Sequence, residues 1–246
     1  MTRPVLGGLV GKSAEWVKAI ETGRQLPPRL PMLMQIARTL HVNDLSELTG
    51  DTTMPMATYS KAAHSAMPEV AKALTTYSLA PDGEPLPADA VEAQVAQAWT
   101  LWHGSSNQRT AVATVLPTLL ANAQHSARQL AGTERRRALA ALAQVYHQAQ
   151  LYLSFQPRQE LVYLTGDRGM SAAQDADDPQ AIAGASWYLN HVFRDAGERH
   201  EARVELVVHS SALLRPEDST EDLARWGLLQ LAAALSYAKI GRDGDA

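Results

Sequence analysis

The chain has 246 residues, a formal net charge of −4, 46% hydrophobic and 20% charged residues, and no cysteine. That length allows two domains of ordinary size, and the balance is globular rather than disordered or fibrous. The missing cysteines exclude disulfides, a thiolate nucleophile and cysteine-based zinc sites, and no apolar run reaches the length of a membrane span or a signal peptide.

The expectation is therefore a soluble, cytoplasmic protein without a cofactor. Its charge is unevenly spread. Residues 1–50 hold six Lys/Arg (Arg3, Lys12, Lys18, Arg24, Arg29, Arg38) against four acids, so they carry +2 and the remainder −6. A small basic reader on an acidic body fits that asymmetry.

In chain order, Thr2 and Pro4 open a first helix whose Leu6, Leu9 and Val10 share one apolar face. Gly11 permits the positive φ of a tight corner, and Ser13 suits the N-cap of a second helix. In that helix Val17 and Ile20 point inward, Glu15, Lys18, Ala19 and Thr22 form a polar face, and Gly23 ends it. Gln25-Leu26-Pro27-Pro28 breaks the chain. Leu30, Leu33, Ile36, Ala37 and Leu40 then mark an amphipathic helix, and Asn43–Leu48 a short closing one. Two short helices around a glycine corner, the second with a polar face, are the helix-turn-helix arrangement. The same spacing also occurs in ordinary all-α cores.

Asp51–Ala57 reads as a linker, and Ala62–Leu79 as a helix with Met67, Val70 and Leu74 on one side. Ala80–Pro87 is a second break, with three prolines and a glycine. Helices are then predicted at Val91–Trp102, Asn107–Leu130 with a kink at Pro117, and Glu134–Leu153 capped by Thr133. Further helices follow at Leu161–Ala173, Pro179–Ala196, Glu198–Leu214 and Thr220–Ile240. No alternating strand pattern is present, so the fold class is all-α.

Leu6, Gly7, Gly11, Ser13, Val17, Glu21, Gly23 and Arg24 follow the pattern of the phage-repressor-like (Xre-type) helix-turn-helix family, which Thr2–Gly50 resembles. The resemblance implies a lambda-repressor-like DNA-binding domain. Such domains begin with a full helix before this pair. The reading therefore expects an incomplete domain, its first helix missing and the true start upstream of Met1. Further on, Ala183, Ala185, Trp187, Leu189, Phe193, Gly197 and Ala202 are echoed by Leu228, Leu231, Tyr237 and Gly241, the two glycines lying 44 positions apart. This resembles the tetratricopeptide helical repeat, whose usual period is about 34 residues. An alanine-rich helical bundle is the other reading. The last helix ends with Leu231, Leu235 and Tyr237 uncovered, which points to a dimer mate and makes the chain read as clipped at this end too. The division expected is a helix-turn-helix domain over 1–50, a linker with one helix over 51–87, and a tetratricopeptide-like domain over 88–246. In layout the chain resembles actinobacterial-type regulators that join these two modules.

The resemblance implies the contacts. Ala14, Glu15 and Ala19 face base edges, Glu15 accepting from a cytosine and the alanines touching a thymine methyl. Ser13, Thr22, Arg24 and Arg29 match phosphate-gripping positions, and Arg3 lies where the first helix meets the DNA backbone. Charge and face add Lys12 and Lys18. Trp16 either packs under the linker or stacks on sugar, Glu21 braces the turn, and Glu15 also suits the helix dipole. The eight histidines are scattered without metal or catalytic spacing, and Asp175-Ala-Asp177-Asp178 reads as an acidic helix cap rather than a metal loop, so no enzyme is expected. Tyr146, Tyr152, Phe155, Trp187 and Tyr188 are either core or the lining of a ligand groove. The expected function is sequence-specific transcriptional regulation on double-stranded DNA. The helical domain would serve homodimerisation or bind a peptide, protein or small-molecule effector. The alternative is a helical interaction module that has lost DNA binding.

Overall fold

The computed structural model describes residues 1–26, 28–42, 44–50, 63–77, 83–154, 156–196 and 200–239. The described residues form helices and no strand, so the chain is all-α. It divides into two compact units, 1–61 and 62–246.

The first unit contains α1 (Arg3–Leu9), α2 (Ala14–Glu21), α3 (Leu30–Leu40) and α4 (Ser46–Thr49). Pro4 sits in the first turn of α1, where its missing N–H costs no intrahelical bond. The expected Leu6–Leu9–Val10 face is rotated: Val10 is buried just past the helix end, Leu6 is half-buried and Leu9 is 58% exposed. Asp44 Oδ1 accepts the Ser46 N–H at 2.9 Å and starts α4. The core is thin, made of Val10, Val17, Ile36, Ala37 and Leu45.

The second unit holds α5 (Met67–Thr75), α6 (Ala88–Gly104), α7 (Gln108–Ala113), α8 (Leu116–Gln129), α9 (Gly132–Leu153), α10 (Gln159–Ala176), α11 (Pro179–Ala196), α12 (His200–Ser211) and α13 (Thr220–Lys239). At 22 residues, α9 is about 33 Å long and packs on α6, α8, α10 and α11. Beyond it, sequential helices pair with each other while alternate ones, α9 with α11 and α11 with α13, also touch. Glycines of α10 face its neighbours. A methyl group at Gly166 would stand 3.1 Å from Val192 Cγ2, and one at Gly169 would stand 3.5 Å from Tyr146 Cβ.

The helix expected within the linker belongs to this core. Met67, Val70 and Leu74 of α5 are buried, and Arg168 Nη1 donates to the Leu74 carbonyl at 2.6 Å. Two local expectations fail for identifiable reasons. The helix expected over 107–130 is broken at Thr114–Val115 rather than kinked, because Pro117 offers no N–H to the turn before it and instead opens α8. Thr133 lies inside α9, which starts at Gly132, and makes no cap bond. Its acidic neighbour Glu134 works elsewhere: one carboxylate oxygen accepts the Ala88 N–H at 3.2 Å, and the other accepts Arg137 Nη1 at 2.9 Å. Arg137 also pairs with Glu92 at 2.6 Å, tying α6 to α9, and these carboxylates hold its guanidinium firmly protonated. Asp178 Oδ1 accepts the N–H groups of Gln180 (2.8 Å) and Ala181 (3.2 Å), so it caps α11.

Candidate nucleic-acid interface

Backbone geometry fixes the corner between α1 and α2. The Lys12 N–H donates to the Gly7 carbonyl at 2.7 Å, and Gly11 turns the chain at φ 67°. Gly7 is required by space rather than by conformation. A Cβ there would stand 2.7 Å from the Lys12 carbonyl oxygen and 3.1 Å from the Ser13 carbonyl. Only glycine lets α1 lie this close to the start of α2.

Both ends of α2 are capped. Ser13 Oγ accepts the Trp16 N–H at 3.1 Å, satisfying one orphan donor of the first turn. At the other end Gly23 (φ 68°) donates to the Ile20 carbonyl and Arg24 to the Ala19 carbonyl, at 3.0 and 2.8 Å. That bond pair is the Schellman ending. Val17 is buried, while Glu15 and Thr22 are exposed and Ala14, Trp16, Lys18 and Ala19 half-buried. Arg24 and Arg29 follow α2 and are exposed, as are Lys12 and Ser13. Arg3, Lys12, Lys18 and Arg24 therefore lie on or beside one short helix pair, with Glu15 on the outer face of α2 and Arg29 at the start of α3.

Besides Ser13, which caps α2, several of the expected contact residues already have protein partners. Arg3 Nε donates to Glu21 Oε2 at 2.6 Å, so Glu21 braces α2 against α1. Both side chains are about half exposed, and such pairs are worth about 0–1 kcal/mol, little enough to be exchanged for a phosphate. Thr22 Oγ1 donates to the Lys18 carbonyl at 2.8 Å, so its proton is turned inward. Lys12 Nζ lies 5.7 Å from the centre of the Trp16 ring, a cation–π contact that sequence reading missed. Four-residue spacing across the corner was its only sequence signal.

Of the aromatic residues considered for a ligand groove, Tyr146 and Tyr152 are core. Burial raises both phenols above their usual range, most directly through lost solvation. Trp187 packs against the α11–α13 cluster, Tyr188 borders a cavity, and Phe155 lies outside the described residues, as do the repeat marks Gly197 and Gly241. Among the described residues no group of histidines and acids is arranged to hold a metal ion, and no helix is long and apolar enough to cross a membrane. No family model, no curated protein and no solved structure matches this chain.

Proposed function

We propose that the chain is a sequence-specific DNA-binding transcriptional regulator, whose α1–α2 pair reads a half-site while the helical body dimerises or receives a signal. The observation that carries this reading is the glycine-fixed corner. It holds a doubly capped α2 with its Glu15–Lys18–Thr22 side outward and basic residues on both flanks. Glu15 and Ala19 are the base-reading residues, Ala14 sits at the entry to the groove, and Lys12, Lys18, Arg24 and Arg29 carry the phosphate contacts. Arg3 joins them by releasing Glu21. A lambda-repressor-like domain followed by a tetratricopeptide-like body is the architecture this reading implies, the latter supported by the contacts between alternate helices α9, α11 and α13.

Selection from a random DNA pool tests it. A twofold motif with half-sites about 10 base pairs apart is expected, because one small helix pair buries too little for tight binding alone. Glu15→Ala should change base preference. Lys18→Ala should weaken all sites alike and reduce the salt slope by about 1. Equal losses from both on every site overturn the assignment of Glu15. The second reading, an interaction module without DNA binding, is favoured by the open face of α1, where Val5 and Leu9 are 52% and 58% exposed. The absence of any selected motif would establish that reading instead.

A further inference from the structure

We propose that the cavity bounded by α6, α9, α11 and α13 binds a small aromatic carboxylate. Its volume, about 390 Å³, falls in the range of small-molecule sites. Two stacked ring pairs form its apolar walls: Trp99 on His103, with centroids 5.6 Å apart and planes at 17°, and Tyr188 on His147, at 4.4 Å and 19°. An aromatic ligand matches such walls in both shape and polarisability.

The charge is supplied by Arg225. Its Nε donates to Gln180 Oε1 at 3.3 Å, and among the described residues it forms no ion pair. Asp178 borders the same cavity, but its carboxylate caps α11. The guanidinium rests on α11 at Gly184, where a methyl group would stand 3.2 Å from Arg225 Nη1 and 3.5 Å from His147 Cε1. Glycine at this place therefore seats the cation beside the buried imidazole. A guanidinium held with its Nη atoms unpaired is a bidentate carboxylate receptor.

One further group awaits a polar partner. Gln144 uses its carbonyl oxygen for Trp99 Nε1 at 3.2 Å, which leaves its NH₂ to donate to a ligand oxygen. His147 serves as wall rather than partner, since its Nε2 is closed off from solvent and stands 3.6 Å from where a methyl group at Gly169 of α10 would lie. Glu221 and Asp178 stand on the same rim as the one arginine, so a phosphate dianion is repelled more strongly than a carboxylate monoanion held on Arg225. As the signal of the proposed regulator such a ligand rests on that reading, but its binding does not.

Titration calorimetry on the whole chain with 4-hydroxybenzoate provides the test. Binding with a Kd between about 10 μM and 1 mM is expected. 4-Hydroxybenzamide and phenyl phosphate should each bind at least about tenfold more weakly. Arg225→Gln should weaken 4-hydroxybenzoate by the same factor, and Gly184→Ala should weaken it by displacing the guanidinium. Circular dichroism melts would confirm that both variants fold. The proposal is overturned if nothing binds at about 10 mM, if amide or phosphate binds as well as carboxylate, or if folded Arg225→Gln binds unchanged. A negative result in calorimetry together with a motif from DNA selection would reject the cavity assignment and leave the DNA reading standing.

Discussion

Gly7→Ala is the sharpest test of the corner. The new methyl group would stand 2.7 Å from the Lys12 carbonyl oxygen, whereas ordinary van der Waals contact begins at 3.4 Å. The obstacle is backbone, so no rotamer relieves it, and α1 and α2 must separate by several tenths of an ångström. Overpacking of this kind costs about 1–3 kcal/mol. Alanine's better helix propensity returns about 0.5–1 kcal/mol of that. Gly8→Ala supplies the control, since the same methyl there meets nothing within 4 Å and gains the propensity without the clash. Hydrogen exchange should read the difference at the Lys12 amide, which bonds to Gly7, and at the Trp16 amide, which bonds to Ser13. The net cost, centred on about 1 kcal/mol, should lower protection by roughly five- to tenfold in Gly7→Ala, and Gly8→Ala should hold or raise it. DNA affinity should follow the same order. Equal protection in the two variants would refute the argument that close approach, rather than helix propensity, fixes the glycine.

Leu228, Leu231 and Leu235 lie three and four residues apart on α13 and are 41%, 51% and 54% exposed. If this stripe is the face of the proposed homodimer, Leu231→Glu should convert dimer to monomer in sedimentation while the helical circular dichroism stays unchanged, and a monomeric wild type would reject that face. Burial, aided by the nearby Arg225 charge, pushes the His147 imidazole down to about 3. The fold therefore keeps it neutral while the unfolded chain protonates it below pH 6.5, so its stabilising effect is complete above that pH and lost toward about 3. Urea titrations at several pH values should thus show a shallower acid slope for His147→Gln, and parallel slopes would contradict the burial argument. Asp178→Ala should destabilise by about 0.5–2 kcal/mol through loss of the α11 cap, and Asp178→Asn should restore most of it. Equal melts for all three chains would show the cap bonds to be inert.

Features governed by local chemistry were legible in the sequence. Ser13, Gly11 and Gly23 each sit where a cap or a positive φ requires them, and α11 and α13 follow their predicted bounds closely. Pro117 was legible as a disturbance but not as a full break, which depends on where the preceding turn can end. The apolar stripe of α5 was visible too. What it packs against was not, because Arg168, which fastens it, lies 94 positions from Leu74. Gly7 was legible only as a member of the family pattern, because its contact with the Lys12 carbonyl, five positions on, exists only in the folded corner. The Arg225–Gly184–His147 cluster is drawn from three separate helices, none of which carries a motif for it.

The apolar interior of the body is divided. One cluster runs through α5–α10 to Ala185, and a much smaller one joins Ala183, Val207, Leu214, Leu229, Ala232 and Ala233. Half of the smaller cluster is alanine, whose burial contributes least per side chain. Unfolding should therefore proceed in stages, with α12 and α13 detaching as one foldon before the long α9 loses its neighbours. Trypsin would then cut near Arg215 well below the main melting transition. Any molecule that clasped α13 to α6 and α9 would merge the two stages into one cooperative event.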